Sequence, residues 1–152
     1  MEDVVRPNAV TVQVRRLRPD AILPVYAHPD DAGMDLASVE PVRLVARGRA
    51  AVGTGLAVAI PPGWVGLVHP RSGLARRHGI TVANAPGTID AGYRGELQVL
   101  LVNLSDEDYS IDAGERIAQL VVQPVAHADL VEVDALDTTL RGDSGFGSTG
   151  RR

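Results

Sequence analysis

An all-β sandwich or barrel is the fold class that this sequence predicts, and three observations carry the prediction. Sixteen glycines and ten prolines are spread along the 152 residues and cut the chain into short apolar segments. Some of those segments alternate apolar and polar residues with the period of two of a half-buried strand. Turn signals such as Pro61-Pro62-Gly63, Ala85-Pro86-Gly87 and Asp112-Ala113-Gly114 separate them at the spacing of sandwich and barrel strands.

Taken in order, Val10, Val12 and Val14 alternate with Thr11, Gln13 and Arg15, which predicts a first, half-buried strand. Pro41–Val45, Gly55–Ile60 and Trp64–His69 follow as strands. One short helix is predicted from Arg71 to His78, with Ser72 near its start and Gly79 as its stop. Ile80–Ala83, Gly95–Leu104, Tyr109–Asp112, Arg116–Val125 and Leu130–Val133 complete the strands, and residues 83–97 read as a broad β-hairpin. In Leu97–Leu104 one face carries Leu97, Val99 and Leu101 and the other Leu100, Val102 and Leu104. A strand apolar on both faces needs two covers, the second from another subunit or from a loop of the same chain.

Composition excludes several kinds of chemistry. There is no cysteine, hence no disulfide framework and no thiolate nucleophile or metal ligand. All fifteen basic residues are arginine, so a Schiff-base lysine is excluded and phosphate binding must rest on guanidinium or backbone N–H groups. The net charge of −4 argues against a general affinity for nucleic acid. No apolar run approaches the ~18 residues of a membrane span. The opening Met1–Val10 is acidic and broken by Pro7, unlike a secretory signal, so a cytoplasmic protein is expected. His28, His69, His78 and His127 lack ligand spacing and predict no protein-held zinc.

Residues 1–140 are expected to form one domain and residues 141–152 a flexible arm. Arg141-Gly-Asp-Ser-Gly-Phe-Gly-Ser-Thr-Gly150 has little with which to build a core, yet holds Phe146, the only phenylalanine. A lone ring there suits packing on something that comes and goes, and small residues beside Arg141 can gather N–H groups around an anion. An arm of twelve residues spans at most ~40 Å.

Three internal segments carry candidate chemistry. Ala32-Gly-Met-Asp-Leu-Ala37 contains Asp35. Pro70-Arg-Ser-Gly-Leu-Ala75 puts Arg71, Ser72 and Gly73 where a strand gives way to a helix, an arrangement suited to phosphate. Gly87-Thr-Ile-Asp-Ala-Gly-Tyr-Arg-Gly-Glu-Leu97 follows Asn84, whose amide can pair with the edge of a planar base. Tyr93 can stack on a sugar, and Asp90 is an acid beside a turn able to hold a water. Glu96 is a weaker acid–base candidate.

In this order, and with Gly114-Glu-Arg-Ile-Ala-Gln-Leu-Val-Val122 and the arm, these segments closely resemble the five motifs of the homotrimeric deoxyuridine triphosphatases (dUTP diphosphatases). The resemblance implies a jelly-roll-like β-barrel with one short helix, assembled as a homotrimer with shared active sites. It implies Mg²⁺-dependent hydrolysis of dUTP to dUMP and pyrophosphate, which limits uracil incorporation into DNA and supplies dUMP for dTMP synthesis. Asp90 would be the general base. Asn84 and the backbone of Gly87, Thr88, Ile89 and Asp90 would read uracil, with Gln98 nearby. Tyr93 would lie under the deoxyribose and exclude a 2′-hydroxyl. Arg71, Ser72 and Gly73, with Gln119 of a neighbouring subunit, would hold phosphates. Arg141 would clamp the γ-phosphate, Phe146 would stack over uracil, and Gly147, Ser148 and Thr149 would close on the phosphates. No direct protein ligand to the metal is implied, and Asp35 would act through water. Two rivals are a dCTP deaminase, alone or bifunctional, and a non-catalytic nucleotide-binding jelly roll. The deaminases of this fold place a catalytic glutamate at the position of Leu100, and leucine cannot shuttle protons.

Overall fold

Among the described residues every paired strand is antiparallel to its neighbour, and no two paired strands are consecutive in the chain, so each connection crosses from one sheet or ribbon to another or passes over a strand. The computed structural model describes residues 9–145. Its elements are β1 (Gln13–Arg16), β2 (Met34–Ala37), β3 (Val42–Leu44), β4 (Arg49–Ala59), β5 (Trp64–His69), α1 (Ser72–His78), β6 (Ile80–Val82), β7 (Gly87–Ile89), β8 (Glu96–Asn103), β9 (Tyr109–Ile111) and β10 (Arg116–Pro124). One sheet runs β1-β4-β8-β6, a second β2-β10-β5-β7, and β3 and β9 form a two-stranded ribbon. This is the all-β, jelly-roll-like barrel with a single short helix that the sequence predicts. Among the described residues no helix is long and apolar enough to cross a membrane.

Both sheets point alternate side chains into one core. The first supplies Val52, Val58, Ile80, Val82, Leu97, Val99 and Leu101; the second supplies Leu36, Val68, Ile89, Ile117 and Leu120. The ribbon adds Leu44 and Ile111. Asn103 is fully buried at the end of β8 and has its amide satisfied. Its Nδ2 donates to Leu44 O and Glu107 O, and its Oδ1 accepts from Ser105 N and Oγ. That network ties β8 to the ribbon and satisfies the buried Asn103 amide.

Several expectations change in detail. β1 begins at Gln13, and all four of its residues are exposed, because it is an edge strand over which no described residue packs as a layer. β4 starts at Arg49 rather than Gly55, since pairing with β8 recruits residues of weak strand preference such as Ala50, Ala51 and Gly53. β2 lies in a segment read above only as a site motif. It is a strand because β10 pairs with it from Arg116 to Leu120. Ser72 does not cap the helix: Arg71 occupies the N-cap position with no side-chain bond, whereas Gly79 ends the helix in the left-handed conformation (φ 66°) as expected. Leu130–Val133 is not a strand. It finds no sheet edge, and Leu130 and Val131 are 93% and 80% exposed.

The broad hairpin at residues 83–97 is also corrected. β7 pairs with β5 in the second sheet, and β8 pairs with β4 and β6 in the first. The Asp90–Gly95 loop therefore crosses between the sheets. The reason is burial: Gly87 fits against Val68 and Ile89 against Gly66 on the second sheet, whereas β8 has its inward face committed to the first. The outward face of β8 is left uncovered by the described residues, with Leu100 41% exposed.

At the far end of the barrel the Tyr109 hydroxyl donates to Glu115 Oε1, and its ring lies 4.6 Å from that of His78. Burial, followed by the Glu115 bond, pushes the phenol up to about 12. Its charged form is thus disfavoured in the fold, while in the unfolded chain it titrates near the ordinary value of about 10. Stability from this group is complete below pH 10 and is lost as pH rises toward 12. The urea midpoint should fall across that interval, and Tyr109→Phe should remove this part of the fall.

Candidate active site: two clefts on one chain

The crossover loop and the two sheet edges that flank it open a cleft of about 270 Å³. Asn84, Gly87, Thr88, Ile89, Asp90, Tyr93 and Gln98 all line it, so the described residues assigned above to base, sugar and water face one space. Gly87 is there for closeness: a Cβ on it would meet Val68 Cβ and Asn84 Nδ2, each at 3.3 Å. Asp90 follows β7 directly, is exposed, and has its peptide oxygen bonded by Tyr93 N at 3.0 Å. That bond closes the turn and leaves the carboxylate in the cleft mouth. Arg94 Nη1 donates to Ala91 O and Tyr93 O at 2.7 and 2.8 Å, holding the same turn from outside.

Val68, Leu97 and Leu100 give this cleft an apolar lining that the sequence reading did not assign to a site. The period-two pattern of β8, which puts Gln98 and Leu100 on one face, was the available signal. Glu96 also borders the cleft, and one of its carboxylate oxygens is taken up by the backbone. Its Oε1 accepts from Gly55 N at 2.8 Å, at the irregularity where β4 loses register between Gly53 and Ala57. Thr54 supports the same bulge by donating to Leu97 O at 2.7 Å. A carboxylate so engaged serves the backbone.

The phosphate candidates gather elsewhere. Arg71, Ser72, Gly73, Gln119 and Asp35 line a second cleft of about 430 Å³, with Gly33 and Arg116. Pairing of β2 with β10 sets Asp35 opposite Gln119, and pairing of β5 with β10 sets His69 opposite the same Gln119. Asp35 Oδ2 accepts from Arg116 Nη1, and its Oδ1 forms an ion pair with Arg71 Nε, both at 3.1 Å. Its carboxylate is 19% exposed, against 30% and 58% for the two guanidinium groups. One acid thus draws two cations to the rim of a single cleft. Gln119 Nε2 donates to Pro70 O at 3.0 Å. Gly33 leaves room for that amide: a Cβ there would overlap Gln119 Oε1 and stand 3.0 Å from Cδ. Arg116 belongs to the Gly114–Val122 motif, and only the pairing of β2 with β10 brings it to Asp35 and into the site. His28 borders this cleft, bonded to Asp31.

Arg141 lies in neither cleft. It is exposed, and its Nε donates to Ser144 O at 3.0 Å within a local turn. Phe146, Gly147, Ser148 and Thr149 lie outside the described residues. Among the described residues, no three of His, Asp or Glu converge to hold a metal ion, and Asp35 has both oxygens committed to arginines. This donor set suits a cation that arrives already held by phosphates and water.

Fold and clefts together place the chain among β-barrels with one pocket suited to a planar base and another suited to an anion. Comparison with known proteins is more specific. Residues 19–150 match the dUTPase family model. A deoxyuridine 5′-triphosphate nucleotidohydrolase of Thermobifida fusca is 56% identical over 144 residues, covering 94% of this chain and 80% of the relative. A solved dUTPase of Staphylococcus bacteriophage 80alpha with dUpNHpp is 34% identical, with a TM-score of 0.87 over 93% of this chain and 99% of that one. Another, from phage phi11 of S. aureus and described with a coordinated structural Mg(II) ion, is 32% identical, with a TM-score of 0.77 over 83% of this chain and 98% of its own. The chain belongs to the dUTPase family.

Proposed function

We propose that this chain hydrolyses dUTP, taken up with Mg²⁺ on its phosphates, to dUMP and pyrophosphate. We further propose that it does so in active sites shared between the protomers of a homotrimer. The observation that carries the reading is the sorting of side chains. Base- and sugar-directed groups share one cleft with an exposed carboxylate, while the arginines and Gln119 share another. A nucleoside triphosphate has the same two ends. The two clefts become one site when the second belongs to a neighbouring protomer.

In this reading Asn84 and the backbone of Gly87–Ile89 hold the uracil edge, with Gln98 beside it. Tyr93 lies against the deoxyribose. Asp90 accepts the proton of a water aimed at the phosphate chain, as a general base within hydrogen-bond reach would. The bond from the α-phosphate to the bridging oxygen breaks, and pyrophosphate leaves. Arg71, Ser72, Gly73 and Gln119 neutralise and orient the phosphates, and Asp35 keeps Arg71 and Arg116 in place. Bound Mg²⁺ would supply charge compensation on the triphosphate. The arm, through Arg141, Phe146, Gly147, Ser148 and Thr149, would close over the site and exclude water.

Leu100 lines the base cleft. A hydrocarbon there offers no proton relay for deamination of dCTP. The test is incubation of the purified protein with Mg²⁺ and dUTP, dCTP or dTTP, followed by chromatography. dUMP and pyrophosphate from dUTP alone are expected. Ammonia from dCTP, or no turnover of dUTP, would contradict the proposal.

A further inference from the structure

Tyr93 reaches its place through a seat made by the next three residues. Its hydroxyl donates to Glu96 O at 2.9 Å, which folds the ring back over Gly95. A Cβ added to Gly95 would overlap Tyr93 Oη and stand 2.6 Å from Cζ and 3.0 Å from Cε2. Gly95 does not adopt a positive φ. Its lack of a side chain is therefore not demanded by the backbone; what it supplies is room for the ring.

The other half of the seat is fixed by the sheet. The peptide oxygen that accepts the Tyr93 hydroxyl belongs to Glu96, whose carboxylate accepts from Gly55 N at 2.8 Å. A Cβ on Gly53 would stand 2.8 Å from the same Oε1, so β4 is shaped around that carboxylate. The ring of Tyr93, 46% exposed, is thus positioned by β4 and β8 although it sits on a loop.

We propose that Gly95 is a specificity-determining positioning residue. It lets the Tyr93 ring lie at the depth that admits a 2′-deoxy sugar and rejects a 2′-hydroxyl, with Glu96 locking that depth. The proposal rests on the reading of the first cleft as the nucleoside site. A methyl group at position 95 must push the ring off its seat and break the bond to Glu96 O, and the sugar side of the cleft then opens.

The test compares kcat/KM for dUTP and UTP in the unaltered chain, Gly95→Ala, Tyr93→Ala and the double variant. Gly95→Ala should lower the preference for dUTP over UTP by about tenfold or more, the scale on which one misplaced contact costs discrimination. The loss should fall on KM for dUTP rather than on kcat, because Asp90 keeps its turn. Should Gly95→Ala fold poorly, the double variant carries the test. With the ring removed the three atoms nearest the added methyl are gone, so kcat/KM should match that of Tyr93→Ala within about twofold. An unchanged preference in Gly95→Ala, or a further loss when it is added to Tyr93→Ala, overturns the proposal. An unaltered chain that turns over neither nucleotide overturns the reading of the cleft on which it rests.

Discussion

Asp90→Asn should lower kcat for dUTP by about 10²–10⁴-fold, the range that a positioned general base contributes. Asparagine keeps the size of the side chain and can still accept a hydrogen bond, but it cannot take a proton from water. The turn that presents it is made by backbone, through Tyr93 N to Asp90 O, and by Arg94 on the carbonyls of Ala91 and Tyr93. Neither support involves the Asp90 carboxylate, so the turn should survive and dUTP should bind with a near-normal Kd. Steady-state rates with a separate binding measurement on a non-hydrolysable dUTP analogue separate the two effects. A kcat within threefold or so of the unaltered value would remove Asp90 from its role.

The largest effect on stability is expected at Leu101. It is 1% exposed on the inward face of β8 and belongs to the core to which both sheets contribute. Leu101→Ala should cost about 2–5 kcal/mol, the lost burial plus the cavity left behind. The neighbours that would have to collapse into the void sit on paired strands, which limits relaxation. Urea denaturation at a fixed chain concentration checks this. Leu100→Ala, on the outward face of the same strand, should cost far less in an isolated protomer, and comparing the two reads which face the core uses.

Much of this architecture is legible in the sequence because its causes are local. Trp64–His69 is bounded by Pro61-Pro62-Gly63 on one side and by Pro70 on the other, and the strand fills that interval. Gly79 stops the helix because it alone adopts the left-handed turn there without strain. The candidate site was legible by motif order, and the first cleft gathers the base-side residues that were named. What was not legible depends on partners far away in the chain. β7 and β8 look like a hairpin in sequence, but which sheet each joins is decided by β5 and by β4, and nothing local encodes that choice. Glu96 looks like an acid beside a site until the bulge in β4 is seen to need its carboxylate. Arg116 looks like a surface residue until β10 pairs with β2 and brings it to Asp35. Leu130–Val133 has the composition of a strand but meets no sheet edge among the described residues.

The separation of the two clefts makes the sharing of the active site directly measurable. Chains carrying Asp90→Asn and chains carrying Arg71→Gln, each nearly inactive alone, can be co-expressed in equal amounts and assayed on dUTP. If each site pairs the first cleft of one protomer with the second cleft of another, random trimers should regain about a quarter of full activity, since half of each contribution is intact. Activity no greater than the average of the two parents would mean that both clefts act within one chain, and would contradict the shared site.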